Sequence, residues 1–261
     1  MSITTMTFNL RVNVSSDGSN AWPHRKHLAA AVIAEATPDI VGTQEGTSEM
    51  LTNLDESLPA YRRFGAGRTG VESDYDEFCA IFYRHDTVTL LEQGQFWLSE
   101  SPEVPGSISW DSSLPRICTW GLFQSKENVG QRFYVMNTHF DHMGVVARQQ
   151  SAKLILDHMR QLRDKEQIPV ILMGDLNAYP DQPEIELLEQ HLNSAYSLLH
   201  EPVGCTFHDF KGDTEGDPID YIFTTSDIQM IETQVYRDQL EGVYPSDHYA
   251  VSVNLKLTTS S

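Results

Sequence analysis

Six runs of this chain place polar residues where apolar stretches begin or end. Thr7-Phe8 leads into Asn9, and Ile40-Val41-Gly42-Thr43 leads into Gln44-Glu45. Phe133-Tyr134-Val135-Met136 runs into Asn137-Thr138-His139-Phe140-Asp141-His142, and Val170-Ile171-Leu172-Met173 into Gly174-Asp175-Leu176-Asn177. Ile219-Asp220-Tyr221-Ile222 sets an acid inside an apolar run, and Ser246-Asp247-His248 precedes the last such run. Each has a plain explanation when taken singly. Asp and Asn after strands are ordinary turn residues, an acid within a strand faces water at an edge, and an isolated histidine is structural. Six such interruptions in order are poorly explained by chance. In α/β sheets, sites form beyond the carboxyl ends of strands. Convergence there would gather Asn9, Glu45, His139, Asp175, Asn177, Asp220, Asp247 and His248. That set is rich in oxygen ligands and has no thiolate, which suits Mg²⁺ or Mn²⁺ better than zinc. The neighbours Asp247 and His248 offer a base with a carboxylate to fix its tautomer.

The elements that must carry these residues alternate in type. Period-2 patterning predicts a strand over 5–14, with Phe8, Leu10 and Val12 on one face. An alanine-rich helix over 24–36 is stopped by Pro38. A short strand over 40–43 and a helix over 47–58, capped by Thr47 or Ser48, follow. β-branched and aromatic residues predict strands over 79–84, 87–98, 116–124 and 132–140. A long amphipathic helix is expected over 145–162. The continuous apolar run 169–173 predicts a strand covered on both faces. A helix over 183–191 and strands over 219–224, 229–236 and 249–257 complete the chain. Strand runs with helices between them suggest two packed sheets with helices outside. One domain over 1–257 is expected, with 258–261 as a frayed tail.

Composition sets the class. The chain has 261 residues, 40% hydrophobic and 10% aromatic, which excludes disorder as its main state. Its apolar runs fall far short of the ~20 residues of a membrane span. Met1-Ser2-Ile3-Thr4-Thr5 has no basic leader. Cys79, Cys118 and Cys205 form no CxxC and read as buried reduced thiols, so a cytoplasmic location is expected. Against 18 basic residues stand 37 acidic ones, giving a net charge of −19. Such a chain repels a nucleic-acid backbone at long range, although a local basic groove is compatible with it. No membrane or protein partner is indicated. Gly65-Ala66-Gly67-Arg68-Thr69-Gly70 spells GxGxxG, but the acidic stretch after it has no helical stripe to receive a pyrophosphate. A flexible loop at the mouth of the site, shaping specificity, is expected instead. No Gly-x-Ser-x-Gly elbow supports a serine hydrolase.

Phe8-Asn9, Gln44-Glu45, Asn137-Thr138-His139, Gly174-Asp175-Leu176-Asn177, Ile219-Asp220-Tyr221 and Ser246-Asp247-His248 together resemble the ordered motifs of the endonuclease/exonuclease/phosphatase superfamily. Deoxyribonuclease I, AP endonucleases, inositol-polyphosphate 5-phosphatases, deadenylases and neutral sphingomyelinases belong to it. The resemblance runs from residue 9 to residue 248 and looks like a compact bacterial branch. It implies a four-layer α/β sandwich, two packed mixed β-sheets flanked by helices. It also implies Mg²⁺-dependent hydrolysis of phosphoesters, with Mn²⁺ as a substitute.

Carried over residue by residue, the resemblance makes Glu45 the metal carboxylate, with Asn9 and Asp247 beside it. Asp175 positions or deprotonates the attacking water, and Asn177 donates to a phosphate oxygen. His248 works with Asp247, while Asp220 holds Asn177, His248 or a second metal. His139 supports the leaving group or the scissile phosphate, and Glu77 resembles an acid that holds His139. Arg116 is the first candidate for a phosphate clamp, because a guanidinium pairs bidentately with phosphate. Trp22, Trp97, Trp110 and Trp120 are candidates for a stacking wall. The leading expectation is a phosphoesterase acting on a small phosphorylated metabolite or phosphodiester. A metal-dependent nuclease is the alternative, and a non-catalytic phospholigand-binding module the third reading.

Overall fold

The computed structural model describes residues 2–71 and 73–257. Twelve strands form two mixed sheets of six. The first sheet contains β1 (Ser2–Asn9), β2 (Ile40–Gln44), β3 (Tyr61–Phe64), β4 (Ile81–Arg84), β11 (Ile228–Tyr236) and β12 (Ala250–Leu257), in the order β11-β12-β1-β2-β4-β3. The second contains β5 (Val88–Trp97), β6 (Ile117–Ser125), β7 (Arg132–His139), β8 (Val170–Asp175), β9 (Asn193–Ser194) and β10 (Asp220–Thr224), in the order β5-β6-β7-β8-β10-β9. Four helices lie outside: α1 (Trp22–Ala36), α2 (Ser48–Ser57), α3 (Val145–Lys165) and α4 (Pro183–Glu189). The expected four-layer sandwich is observed.

Side-chain alternation builds the layers. Met6 and Phe8 of β1 pack outward with Ala29 and Ile33 of α1 and Leu51 and Leu54 of α2. Ile3 points the other way, into the core between the sheets with Ile40, Val135, Ile171 and Val253. β8 contributes to both sides. Val170 and Leu172 meet Ile155, Met159 and Ile185 on the outer face, whereas Ile171 and Met173 enter the inter-sheet core. This accounts for its unbroken apolar run. A polar bracket also ties the sheets together. Gln44 Nε2 donates to Asn137 Oδ1 at 2.7 Å, and Asn137 Nδ2 donates to the carbonyls of Thr43 and Ala80. Gly42 allows this approach, since a Cβ there would stand 2.7 Å from Met173 Sδ.

Several expected boundaries move. β1 ends at Asn9 instead of residue 14, because Asn9 Oδ1 accepts from Arg11 N and Arg11 turns the backbone at φ 54. Leu10 still packs inside, but the chain continues into a 3-10 segment, Ser15–Asn20. Thr47 occupies the N-cap of α2 without a side-chain cap bond. β3, a short edge strand rich in arginine, gave no patterning signal. The glycine loop after it is pinned, contrary to the expected flexibility. Asp76 accepts from Thr69 N and Oγ1, and Phe78 N bonds Gly46 O. All three cysteines are free and buried. No helix among the described residues is long and apolar enough to cross a membrane. The expected tail, 258–261, lies outside the described residues.

Candidate active site

Strand register does the gathering. Parallel pairing of β7 with β8 sets His139 opposite Asp175, and antiparallel pairing of β10 with β8 sets Asp220 opposite Asp175. In the other sheet, Asn9 ends β1 opposite Gln44, so Glu45 follows directly at the edge. His248 forms a bridge with Phe207 just before β12 begins. The two sheets thus end at one cleft of about 360 Å³. Glu45, Arg116, His139, Asp175, Asn177, Asp247 and His248 all line it. Glu45 and Asn177 hold left-handed backbone, at φ 61 and φ 46, uncommon for such residues and frequent where function dictates geometry.

Asn9 joins the two halves. Its Nδ2 donates to Glu45 Oε1 and to Asp175 Oδ2, both at 2.9 Å. With Oδ1 accepting from Arg11 N, Asn9 orients both carboxylates. Glu45 Oε2 accepts from Val12 N at 2.8 Å. Burial opposes ionisation of Glu45, but this N–H donor, His248, Asn9 and Arg11 together hold its pKa below the usual range.

His248 is oriented by Asp220, not by its sequence neighbour Asp247. His248 Nδ1 lies 2.9 Å from Asp220 Oδ2, and Nε2 stands 3.8 Å from Asp175 Oδ2. Burial disfavours the imidazolium, yet Asp220, Asp175 and Asp247 overcome it and raise the His248 pKa well above its ordinary value. Burial and Asp220 push Asp175 up to about 7. Asp247 turns toward Arg11, with 3.6 Å between Oδ2 and Nε. Burial raises its pKa, as does Glu45 nearby.

His139 and Asn177 form a second unit. Asn177 Nδ2 lies 3.0 Å from His139 Nε2 and donates to Phe140 O. Asn177 thus stands beside His139 in the lining of the cleft. Burial, with Arg116 and Arg68 nearby, lowers the His139 pKa well below 6.5 and keeps the ring neutral. Glu77 does not hold His139. Its Oε1 accepts from Arg68 Nη2 at 2.6 Å, and both side chains line the cleft. The aromatic lining is Phe207, whose ring lies 5.1 Å from that of His248, instead of any tryptophan.

Arg116 is 4% exposed. Its Nε meets Asp141 Oδ2 at 3.3 Å and its Nη2 meets His142 Nδ1 at 3.0 Å, leaving Nη1 buried without a partner. An unpaired buried N–H is costly, and the Arg116 guanidinium lines the cleft. Asp141, Arg68 and Phe207 were not singled out from the sequence as site residues. Asp141 stood within the Asn137–His142 cluster, and Arg68 within the glycine motif dismissed as a nucleotide loop.

A divalent cation fits these donors. Single ligand atoms of Glu45, His139 and Asp175 lie within 4.8 Å of one another. Buried carboxylates raised further by like charges, Asp175 by Asp220 and Asp247 by Glu45, are relieved by a cation. The mainly oxygen donor set, without thiolate, favours a hard ion.

Comparisons with known proteins agree with this geometry. The model of the Endonuclease/Exonuclease/phosphatase family matches residues 6–248. A Bacteroides thetaiotaomicron endonuclease/exonuclease/phosphatase family protein superposes with a TM-score of 0.91 at 34% identity, covering 98% of this chain and 95% of that one. A mannosyl-6-phosphatase from the same species gives a TM-score of 0.89 at 34% identity, covering 98% and 100%. An uncharacterised protein of Acanthamoeba polyphaga mimivirus is 24% identical over 206 residues, 68% of this chain. The chain spans only 28% of that curated relative's length. With its motifs matched in order and its fold shared end to end, this chain belongs to the Endonuclease/Exonuclease/phosphatase family, whose members are metal-dependent hydrolases of phosphoric esters.

Proposed function

We propose that this chain hydrolyses a small phosphorylated metabolite by in-line attack of water, with Mg²⁺ as the cation. The observation that carries this reading is the juxtaposition of Asp175, His248 and Arg116 in one cleft of about 360 Å³. A cleft of this size suits a small ligand. The net charge of −19 opposes long-range attraction of a nucleic acid. A mannosyl-6-phosphatase among the relatives at 34% identity supports the same substrate scale.

Glu45 and Asp175 would hold the cation, with Asp247 beside them. When bound, the cation supplies positive charge to the phosphoryl oxygens as charge develops there. Asp175 takes the water proton as the water oxygen bonds to phosphorus, and Asn9 holds Asp175 in place. His248, kept cationic by Asp220, donates through Nε2 to a phosphoryl oxygen. Arg116 Nη1 donates to another. The bond from phosphorus to the leaving oxygen breaks on the side away from Asp175, and the departing alkoxide takes up a proton from solvent; His139, 3.5 Å from Asp175 Oδ2 and beside Asn177, supports the phosphoryl group.

The test compares p-nitrophenyl phosphate with bis-p-nitrophenyl phosphate, in Mg²⁺, Mn²⁺ or EDTA, with His248→Ala as control. Metal-dependent monoester cleavage that the variant loses is the expected result. Cleavage of plasmid DNA, falling steeply as salt rises, would replace this reading with a nuclease. Binding of phosphorylated ligands without turnover would make the chain a binding module.

A further inference from the structure

The Arg68–Glu77 pair is unused by the chemistry described above, although both residues line the catalytic cleft. Two hydrogen bonds fix the backbone at Arg68. Arg68 N donates to Glu77 O at 3.0 Å, and Trp97 Nε1 donates to Arg68 O at 2.6 Å. Asp76 ties down Thr69 on the adjoining peptide. Gly67 is required there, because a Cβ would stand 2.0 Å from Asp76 Oδ2. The glycine motif therefore serves to present one arginine.

The pair's chemistry differs from that of Arg116. Asp141, the partner of Arg116, is buried away from the cleft and also accepts from Ser113 Oγ and the N–H groups of Met143 and Gly144. Arg116 thus lines the cleft while its counter-charge, 3.3 Å away, does not. Glu77 faces the cleft together with Arg68, and its carboxylate repels a second phosphate. A neutral pair with donors and acceptors side by side matches neighbouring hydroxyls, each of which both donates and accepts. Arg68, Glu77, Arg116 and His139 line one recess of the cleft, so the pair stands next to the arginine that grips the phosphate. Phe207, 43% exposed in the same cleft, adds an apolar ring face suited to C–H groups.

We infer that Arg68 and Glu77 are specificity-determining residues that bind adjacent hydroxyls of the leaving group, so that the substrate is the phosphate ester of a polyol or sugar. This rests on the phosphoesterase reading above and adds the class of alcohol released.

The test measures kcat/KM for mannose 6-phosphate and for p-nitrophenyl phosphate, whose leaving group has no neighbouring hydroxyls. Wild type is compared with Arg68→Lys, Arg68→Ala and Glu77→Gln. In each variant the ratio of mannose 6-phosphate to p-nitrophenyl phosphate should fall at least tenfold, mainly through KM. Free mannose should inhibit wild type competitively and inhibit Arg68→Ala at least tenfold more weakly. An unchanged ratio in correctly folded Arg68→Lys and Glu77→Gln would overturn the inference while leaving the phosphoesterase intact. Loss of both activities in proportion would also overturn it, since the pair would then serve the whole site. Absence of metal-dependent turnover of p-nitrophenyl phosphate by wild type would instead refute the underlying reading.

Discussion

Asp220→Asn isolates the contact by which the fold departs from sequence adjacency. The substitution keeps the side-chain volume and removes the charge at a position 1% exposed. It alters the 2.9 Å bond between His248 Nδ1 and Asp220 Oδ2. A hydrogen bond to a charged group is worth about 1.5–3 kcal/mol, or roughly 10–100-fold in rate at about 1.4 kcal/mol per decade. A carboxylate that also fixes the tautomer of a working imidazole contributes up to about 10⁴-fold. The expected fall in kcat/KM is therefore about 10²–10⁴-fold, with a smaller change in KM. A second signature follows from the charge. Asp220 is the largest influence raising the His248 pKa, while burial works against it. Without Asp220, burial weighs more and the pKa falls. The cationic form is the one proposed to donate to phosphate, so the alkaline limb of the activity profile should move to lower pH. NMR titration of labelled histidines in metal-free protein reads the pKa directly. Asp247→Asn is the control, because Asp247 has no hydrogen bond to the His248 ring, and its His248 shift should be the smaller one. Asp220→Asn with kcat/KM within threefold of wild type and an unmoved His248 pKa would refute the reasoning.

Three other perturbations test the cation, the sheet contact and a loop anchor. Glu45→Gln retains the shape but removes a carboxylate, so the Mg²⁺ concentration for half-maximal activity should rise at least about tenfold, and EDTA should abolish activity in wild type. Gly42→Ala forces a Cβ to 2.7 Å from Met173 Sδ and 2.8 Å from Asn137 Cγ, and should cost about 1–3 kcal/mol in urea unfolding. Arg25, fully buried, donates to the carbonyls of Leu10, Arg11, Asn20 and Pro245. Arg25→Met leaves those acceptors unpaired and should cost about 3–5 kcal/mol, with a lowered Tm.

The sequence by itself determined the class of fold and most of the site's membership. Period-2 runs and helical stripes are local, and each interrupted strand carried its own polar terminus, so Glu45, His139, Asp175, Asp220 and His248 were legible before any contact was known. The unbroken run at Val170–Met173 already implied a strand covered on both faces, as β8 is. β3 was not legible, because Tyr61-Arg62-Arg63-Phe64 is an edge strand with half its residues charged.

Tertiary structure decided which of these residues touch. Adjacency in sequence favoured Asp247 as the partner of His248, but neighbours entering a strand point their side chains to opposite sides. The β8–β10 register instead set Asp220 across from Asp175, where it reaches His248. The same holds for Asn9, whose amide spans the two sheets to reach Glu45 and Asp175, and for Glu77, claimed by Arg68 before it can meet His139. A motif records which groups lie at a strand end. Hydrogen-bond partners are settled by register and packing, which here join residues 9 to 166 positions apart and leave no mark on the local pattern.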